Sequence, residues 1–229
     1  MQLKRSQVNR SIKQAIEVFR QFKITLPPFA FWSPDDWKSK GAEVNEIRHC
    51  LLGWDVTDFG SGTFDRIGRT LFTLRNGSVI HESYRKPYAE KLILDPEGQR
   101  APAHFHRSKM EDIINRGGGN ILVQLTKSDQ QGSWSNEDFM VQVDGETVEV
   151  GPGTVIRLTP GQSLCIPERT IHQFWGEEGT GLAVSGEVSS VCDDFADNCF
   201  MVPAERFPDI EEDEPREFYL CHEYPNAAE

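Results

Sequence analysis

Between residues 6 and 24, apolar side chains recur at helical spacing: Val8, Ile12, Ile16 and Phe19, with Ala15 and Phe22 widening the stripe. This period predicts an amphipathic helix with one buried face. Pro27 and Pro28 are its expected stop. In "FWSPDDWKSKG" that follows, Ser33 suits an N-cap, Pro34 the first helical position, and Asp35 and Asp36 the first turn. Gly41 should end that short second helix. Residues 1–55 therefore read as a helical N-terminal extension.

After Trp54 the pattern shortens to strands separated by glycine-rich turns. "RTLFTLRNG" ends on Asn76-Gly77, a hairpin signal, which makes "SVIHESY" the expected returning strand. "EKLILDPEG", "NILVQLTKS", "FMVQVDGETVEV", "TVIRLTPG", "QSLCIPE" and "GLAVSGEVSS" continue the series, with Asp144-Gly145 marking another tight hairpin. Many short strands with regular turns predict an all-β sandwich or barrel over residues 56–190. No repeat of solenoid length is present. The acidic run "DIEEDEP" reads as a solvated loop.

Charge narrows the function. The chain has 229 residues and a formal net charge of -12, which argues against nucleic acid or an anionic membrane as partner. It suits an enzyme acting on a small neutral molecule. The five cysteines, Cys50, Cys165, Cys192, Cys199 and Cys221, form no CxxC pair, so a reducing cytoplasm without a disulfide framework is expected. "MQLKRSQVNR" has no apolar signal region, and no apolar run approaches the ~18 residues of a membrane span.

The chemistry concentrates in "APAHFHRSKMEDIINRGGGN". Residues two apart on a strand share a face, so His104 and His106 can grip one ion, and Glu111 can return past a short bend as an oxygen ligand. Imidazole with carboxylate suits manganese, iron, zinc or nickel. Taken alone, the pair also reads as two surface histidines. The wider spacing runs from Gly98 through His104, His106 and Glu111 to Gly118, and again from Gly161 through Pro167 to His172. These two stretches resemble the paired motifs of the cupin family, with Arg169 and Gly176 where that family usually has glycine and asparagine. The resemblance implies a jelly-roll β-barrel carrying a metal site of His104, His106, Glu111 and His172, with about two positions open for substrate or water. Residues 119–160 are long for a cupin, and an extra hairpin is expected there. His49, His81 and His222 lack such spacing and read as structural.

"HFHRSKMEDIINRGGG", together with the helical N-terminus, "YAEKLIL", "PERTIHQFWG", "GEVSSVCDD" and "FYLCHEY", is similar to the D-lyxose isomerase family of sugar isomerases. That resemblance implies an aldose–ketose isomerase of D-lyxose and D-xylulose, usually also of D-mannose and D-fructose. It also implies a preference for manganese and a homodimer. Such a reaction moves a proton between two carbons, so an acid/base pair must stand beside the ion. Lys109, two residues before Glu111, would face the same side. A nearby dication would depress its pKa and make it a proton shuttle. By the resemblance, residues 191–229 cover the barrel, and Glu205 in "MVPAERFPD" is the favoured partner of Lys109. Lys91, Glu187, Asp193 and Asp194 are candidates for sugar hydroxyls, and Trp175 for a pocket wall. Phe105, between the two histidines, should point away from the metal by strand alternation, which favours a packing role.

Arg169, in place of a turn glycine, predicts a locally different loop and a guanidinium paired with a carboxylate near the barrel mouth. "RGGG" at 116–119 lacks the phosphate-loop pattern and reads as a tight turn. The competing readings are an iron-dependent cupin dioxygenase, a non-catalytic sugar-binding cupin, and a phosphosugar isomerase needing several cations at its mouth.

Overall fold

The computed structural model describes residues 2–228. After a two-residue strand β1 (Leu3–Lys4), the apolar stripe becomes α1 (Arg5–Gln21), with Val8, Ile12, Ala15 and Phe19 buried. The prolines do not stop this helix. Lys23 does, in the left-handed conformation at φ 58°. Its N–H donates to the Arg20 carbonyl (2.9 Å), and the Ile24 N–H donates to the Phe19 carbonyl (2.8 Å). These are the two bonds of a Schellman cap, made here without glycine. In α2 (Pro34–Trp37), Ser33 Oγ accepts the Asp36 N–H and Asp36 Oδ2 accepts the Ser33 N–H, a capping box. That helix is a single turn, and α3 (Asn45–His49) adds five residues.

The strands are β2 (Gly53–Thr57), β3 (Arg69–Arg75), β4 (Tyr88–Asp95), β5 (His104–His106), β6 (Glu111–Gly118), β7 (Ile121–Lys127) and β8 (Phe139–Val143). They continue with β9 (Glu146–Val150), β10 (Thr154–Leu158), β11 (Ser163–Ile166), β12 (Thr170–Gly176), β13 (Ala183–Ser190), β14 (Asn198–Phe200) and β15 (Ile210–Glu211). An eight-stranded sheet in the order β2-β3-β4-β13-β6-β11-β8-β9 faces a five-stranded sheet, β10-β7-β12-β5-β14. Their inner faces meet in one core that includes Leu71, Ile93, Ile113, Val123, Leu125 and Phe174. This is the jelly-roll barrel that the two motifs imply. The strand β14 comes from the C-terminal segment and pairs with β5 beside the first two histidines.

β4 explains why "EKLIL" lacks strict alternation. Leu92 and Leu94 pack with Val8, Ile12 and Phe19 of α1 on one side of the sheet, while Ile93 enters the barrel core on the other. A strand buried on both faces reads as a continuous apolar run.

The turn signals divide. Asp144 and Gly145 both have positive φ (51° and 84°), as a tight primed turn requires, and they join β8 to β9 in the extra hairpin. "SVIHESY" is not a strand: residues 78–84 form bends and turns, and the returning strand is β4. Asn76 does different work. It is buried, donates through Nδ2 to the Cys50 and Cys192 carbonyls, and accepts the Cys192 N–H on Oδ1. Residues 116–119 do not turn a hairpin either. Residues 116–118 are the end of β6 in the large sheet, and Gly119 and Asn120 lead to β7 in the small one. A Cβ on Gly118 would sit 2.3 Å from the Leu182 carbonyl oxygen.

The two ends of the described chain are fastened together. β1 pairs in parallel with β15. The fully buried Arg5 guanidinium is bound through Nη2 to Glu212 (2.8 Å) and Glu223 (2.5 Å). All five cysteines are free. Among the described residues, no helix is long and apolar enough to cross a membrane.

Candidate active site

His104 on β5 and His172 on β12 are direct antiparallel partners, and alternation brings His106 to the same interior face. The ligand atoms of these three histidines lie within 4.8 Å of one another. Glu111, the first residue of β6, joins them from the facing sheet. Its Oε1 is 2.8 Å from His172 Nε2 and its Oε2 is 3.6 Å from His106 Nε2. Each of His104 and His172 donates Nδ1–H to the carbonyl two residues earlier, Pro102 and Thr170, both at 2.9 Å. The carbonyl cannot donate, so Nδ1 of each ring carries a proton, and the neutral form of such a ring keeps its lone pair on Nε2.

The residues fit a divalent ion. Glu111 Oε1 and His172 Nε2 are buried and, despite their proximity, neither makes a hydrogen bond; His106 Nδ1 is likewise unpaired. Buried polar atoms without partners are costly, and a shared cation is the natural partner for such a set. Burial, then the neighbouring His172, pushes the His104 pKa down to about 3. Burial and Lys109 hold His106 well below the ordinary histidine range. Both rings are therefore neutral at pH 7, the form that binds metal. Burial disfavours the Glu111 carboxylate, but the Lys109 ammonium outweighs it and holds the pKa of Glu111 well below the ordinary glutamate value.

Lys109 is buried and faces this cluster, as its two-residue offset from Glu111 predicts. Its Nζ donates to Glu111 Oε2 (2.6 Å) and Glu187 Oε1 (2.8 Å). Burial favours the neutral amine, yet the two carboxylates outweigh it and raise its pKa above the ordinary lysine value. The depression expected beside a dication concerns the loaded site; what the sequence did not show is that Glu187, a second carboxylate, reaches the ammonium. Lys91 is also in the pocket, 3.3 Å from Glu187 Oε1, with its Nζ donating to Cys192 Sγ (3.1 Å). Asp194 reaches the pocket too, and its Oδ1 accepts from Arg206 Nε (3.1 Å).

Three expected residues are not brought to this pocket. Glu205 is exposed on the outer side of the Phe59–Gly60 loop, its N–H bound to the Phe59 carbonyl (3.0 Å), and it lines a separate surface groove. Its neighbour Arg206 turns inward instead. Asp193 accepts the Phe195 and Ala196 N–H groups and caps its own loop. Trp175 lies on the outer face of β12 under the Arg100 guanidinium (3.9 Å), while Phe174 lines the pocket by alternation.

Arg169 corrects another expectation. It adopts φ 60°, the left-handed conformation that glycine would take, so the loop is not rerouted. Its guanidinium donates to the carbonyls of Asp129 (2.7 Å) and Gln130 (3.2 Å), not to a carboxylate, and covers the Phe105 ring. Phe105 points away from the cluster and is buried, as expected.

Sequence reasoning missed Arg69, Arg206 and Asp197. Arg69 lines the pocket while bound to Asp95 (2.7 Å). Arg206 bridges Asp55 (2.5 Å) and Asp194. Asp55 also approaches Cys221 and His222 as a second group of donors, but the Arg206 guanidinium already supplies positive charge there. Asp197 accepts the Ser108 and Lys109 backbone N–H groups.

Known proteins share this architecture. L-ribose isomerase from Geodermatophilus obscurus superposes with a TM-score of 0.62 at 15% identity, over 92% of this chain and 99% of that one. L-ribose isomerase from Acinetobacter sp. DL28, solved in complex with L-ribose, gives 0.62 at 13% identity, over 92% and 98%. At such identities the likeness concerns the fold. The sequence profile of the D-lyxose isomerase family matches residues 3–224. The D-lyxose/D-mannose isomerase of Serratia proteamaculans is 46% identical over 97% of this chain and 98% of its own. That of Escherichia coli O157:H7 is 45% identical with the same coverage. Identity near one half along almost the whole length, from relatives that carry one name, decides between the chemistries a cupin barrel can host: the chain belongs to the D-lyxose isomerase family and is an aldose–ketose sugar isomerase.

Proposed function

We propose that this isomerase interconverts D-lyxose with D-xylulose and D-mannose with D-fructose, using a divalent ion, by preference manganese, held by His104, His106, Glu111 and His172. The observation that carries the reading is the buried row Glu111–Lys109–Glu187, in which one ammonium bridges a ligand carboxylate and a second carboxylate at 2.6 and 2.8 Å. The names of the relatives support the sugars. D-Lyxose and D-mannose share their configuration from C2 to C4, so a pocket that reads this end accepts both.

When bound, the ion supplies a Lewis acid and a template for the oxygens on C1 and C2. Glu187 takes the proton from C2 of the aldose as the C1–C2 double bond of the enediol forms, and returns it to C1. Lys109 serves the oxygens, with the proton lost from the C2 hydroxyl matched by the one gained at O1. Lys91 and Lys109 flank Glu187 and fix its position. Glu187 thus replaces Glu205 as the proposed partner of Lys109.

The pocket cations favour an unphosphorylated sugar. Arg69 is held by Asp95, Lys91 by Glu187, Lys109 by Glu111 and Glu187, and Arg206 by Asp55 and Asp194. A phosphate dianion needs cations whose charge is not already committed.

The test is turnover of D-lyxose in deuterated water by metal-stripped protein reloaded with manganese, beside Lys109→Ala, Glu187→Gln and Glu205→Ala. The expected product is D-xylulose carrying solvent deuterium, with turnover down about 10²–10⁴-fold in the first two variants and retained in the third. Turnover without deuterium would point to a hydride shift or a shielded proton. Full activity in Glu187→Gln would remove that residue from the chemistry. No turnover of lyxose or mannose by the loaded protein would sink the substrate assignment.

A further inference from the structure

The three imidazoles of the cluster are not held alike. His104 and His172 are each fixed through Nδ1 by a backbone carbonyl at 2.9 Å. His106 has no such anchor: its Nδ1 is buried and makes no hydrogen bond. The group that faces it is the Asp197 carboxylate, with Oδ2 at 3.8 Å. Asp197 is itself buried, at 7% exposure, in the loop between β13 and β14. Its Oδ1 accepts the Ser108 N–H (2.9 Å) and Oγ–H (2.8 Å), and its Oδ2 accepts the Lys109 N–H (3.1 Å). Its carbonyl accepts the Arg107 N–H (3.4 Å). One residue thus straps the segment that carries both His106 and Lys109.

We infer that Asp197 is a positioning residue for the metal centre: it takes the Nδ1–H of His106, which fixes that ring's tautomer, while it pins the Ser108–Lys109 backbone. The inference rests on the metal reading above. A separation of 3.8 Å becomes a hydrogen bond on a shift of about 1 Å. A carboxylate behind a ligating imidazole orients the ring and makes it a stronger donor. The two carbonyl-anchored histidines need no such partner, which accounts for a carboxylate at this one ring.

The test is the affinity of the metal-stripped protein for manganese and for zinc, each by calorimetric titration, in the unsubstituted chain, Asp197→Asn and Asp193→Asn. Asparagine keeps one oxygen for Ser108, but its amide nitrogen cannot accept from His106. Asp197→Asn should bind either ion about 10–100-fold more weakly. Asp193→Asn, whose carboxylate caps the same loop away from His106, should bind as the unsubstituted chain does. No loss in Asp197→Asn, or an equal loss in both variants, overturns the inference. A second measurement needs no substitution. In zinc-loaded protein with ¹⁵N-histidine, His106 should show a slowly exchanging Nδ1–H, and an Nδ1 without a proton overturns the inference. Failure of the unsubstituted chain to bind either ion overturns the metal reading, and this inference with it.

Discussion

His104 and His172 come from motifs far apart in the chain, yet they face each other as a direct cross-strand pair with ring centroids 4.5 Å apart. Packing these imidazoles and the Glu111 carboxylate together without a cation leaves ligand atoms unsatisfied. The stripped protein should therefore gain stability on loading, by about 2.7 kcal/mol at a free ion concentration one hundred times Kd. Thermal unfolding against manganese concentration checks this. The rise in Tm should vanish in a His104→Ala/His172→Ala double variant.

Acid should destabilise the metal-free protein before its carboxylates titrate. His104 moves from its ordinary 6.5 to about 3 in the fold. Between those values the unfolded chain binds a proton and the folded chain does not, so stability falls as pH drops through this window. One such residue contributes about 1.4 kcal/mol per pH unit. Glu111, whose pKa lies well below 4.5, adds loss in the same direction at lower pH. Urea unfolding at a series of pH values should show this slope, and His104→Gln should reduce it.

Lys109→Met tests a different cost. It leaves the carboxylates of Glu111 and Glu187 buried without their shared ammonium. Removing one member of a buried charge cluster costs about 3–5 kcal/mol. The metal-free variant should lose stability of that order in urea, and saturating manganese should restore part of it by neutralising Glu111.

Lys23→Gly should stabilise the protein. Lys23 closes α1 in the left-handed region and its side chain is exposed. Glycine adopts that conformation without steric cost, so a gain of about 0.5–1 kcal/mol is expected. Equilibrium unfolding measures it, and an unchanged or lower midpoint would show that the cap is not strained.

The parts of the site written in local spacing were legible. A two-residue period sufficed for His104 and His106 because strand alternation is geometric; Lys109 lies just before β6 and still meets Glu111. Spacing also indicated the barrel and the Asp144-Gly145 hairpin. In the irregular C-terminal segment no period applies: Arg206 turns in and Glu205 turns out. Asn76-Gly77 shows the same limit, since a buried side-chain tether to Cys50 and Cys192 replaces the turn that its composition suggests. Asp197 was unreadable for another reason. It acts on backbone N–H groups 88 and 89 residues away, and such partners leave no mark on residue type. Trp175 was a parity error on a regular strand, where counting two from His172 leads to Phe174.

The fastening of Arg5 to Glu212 and Glu223 has a consequence for biosynthesis. The four proposed ligands are translated by residue 172, while Asp194, Asp197 and Arg206 are still to be made. Arg5 is translated 207 and 218 residues before its partners Glu212 and Glu223. A chain cut soon after residue 190 would keep the four proposed ligands yet lack Asp194 and Arg206 of the pocket and both carboxylates that fasten Arg5.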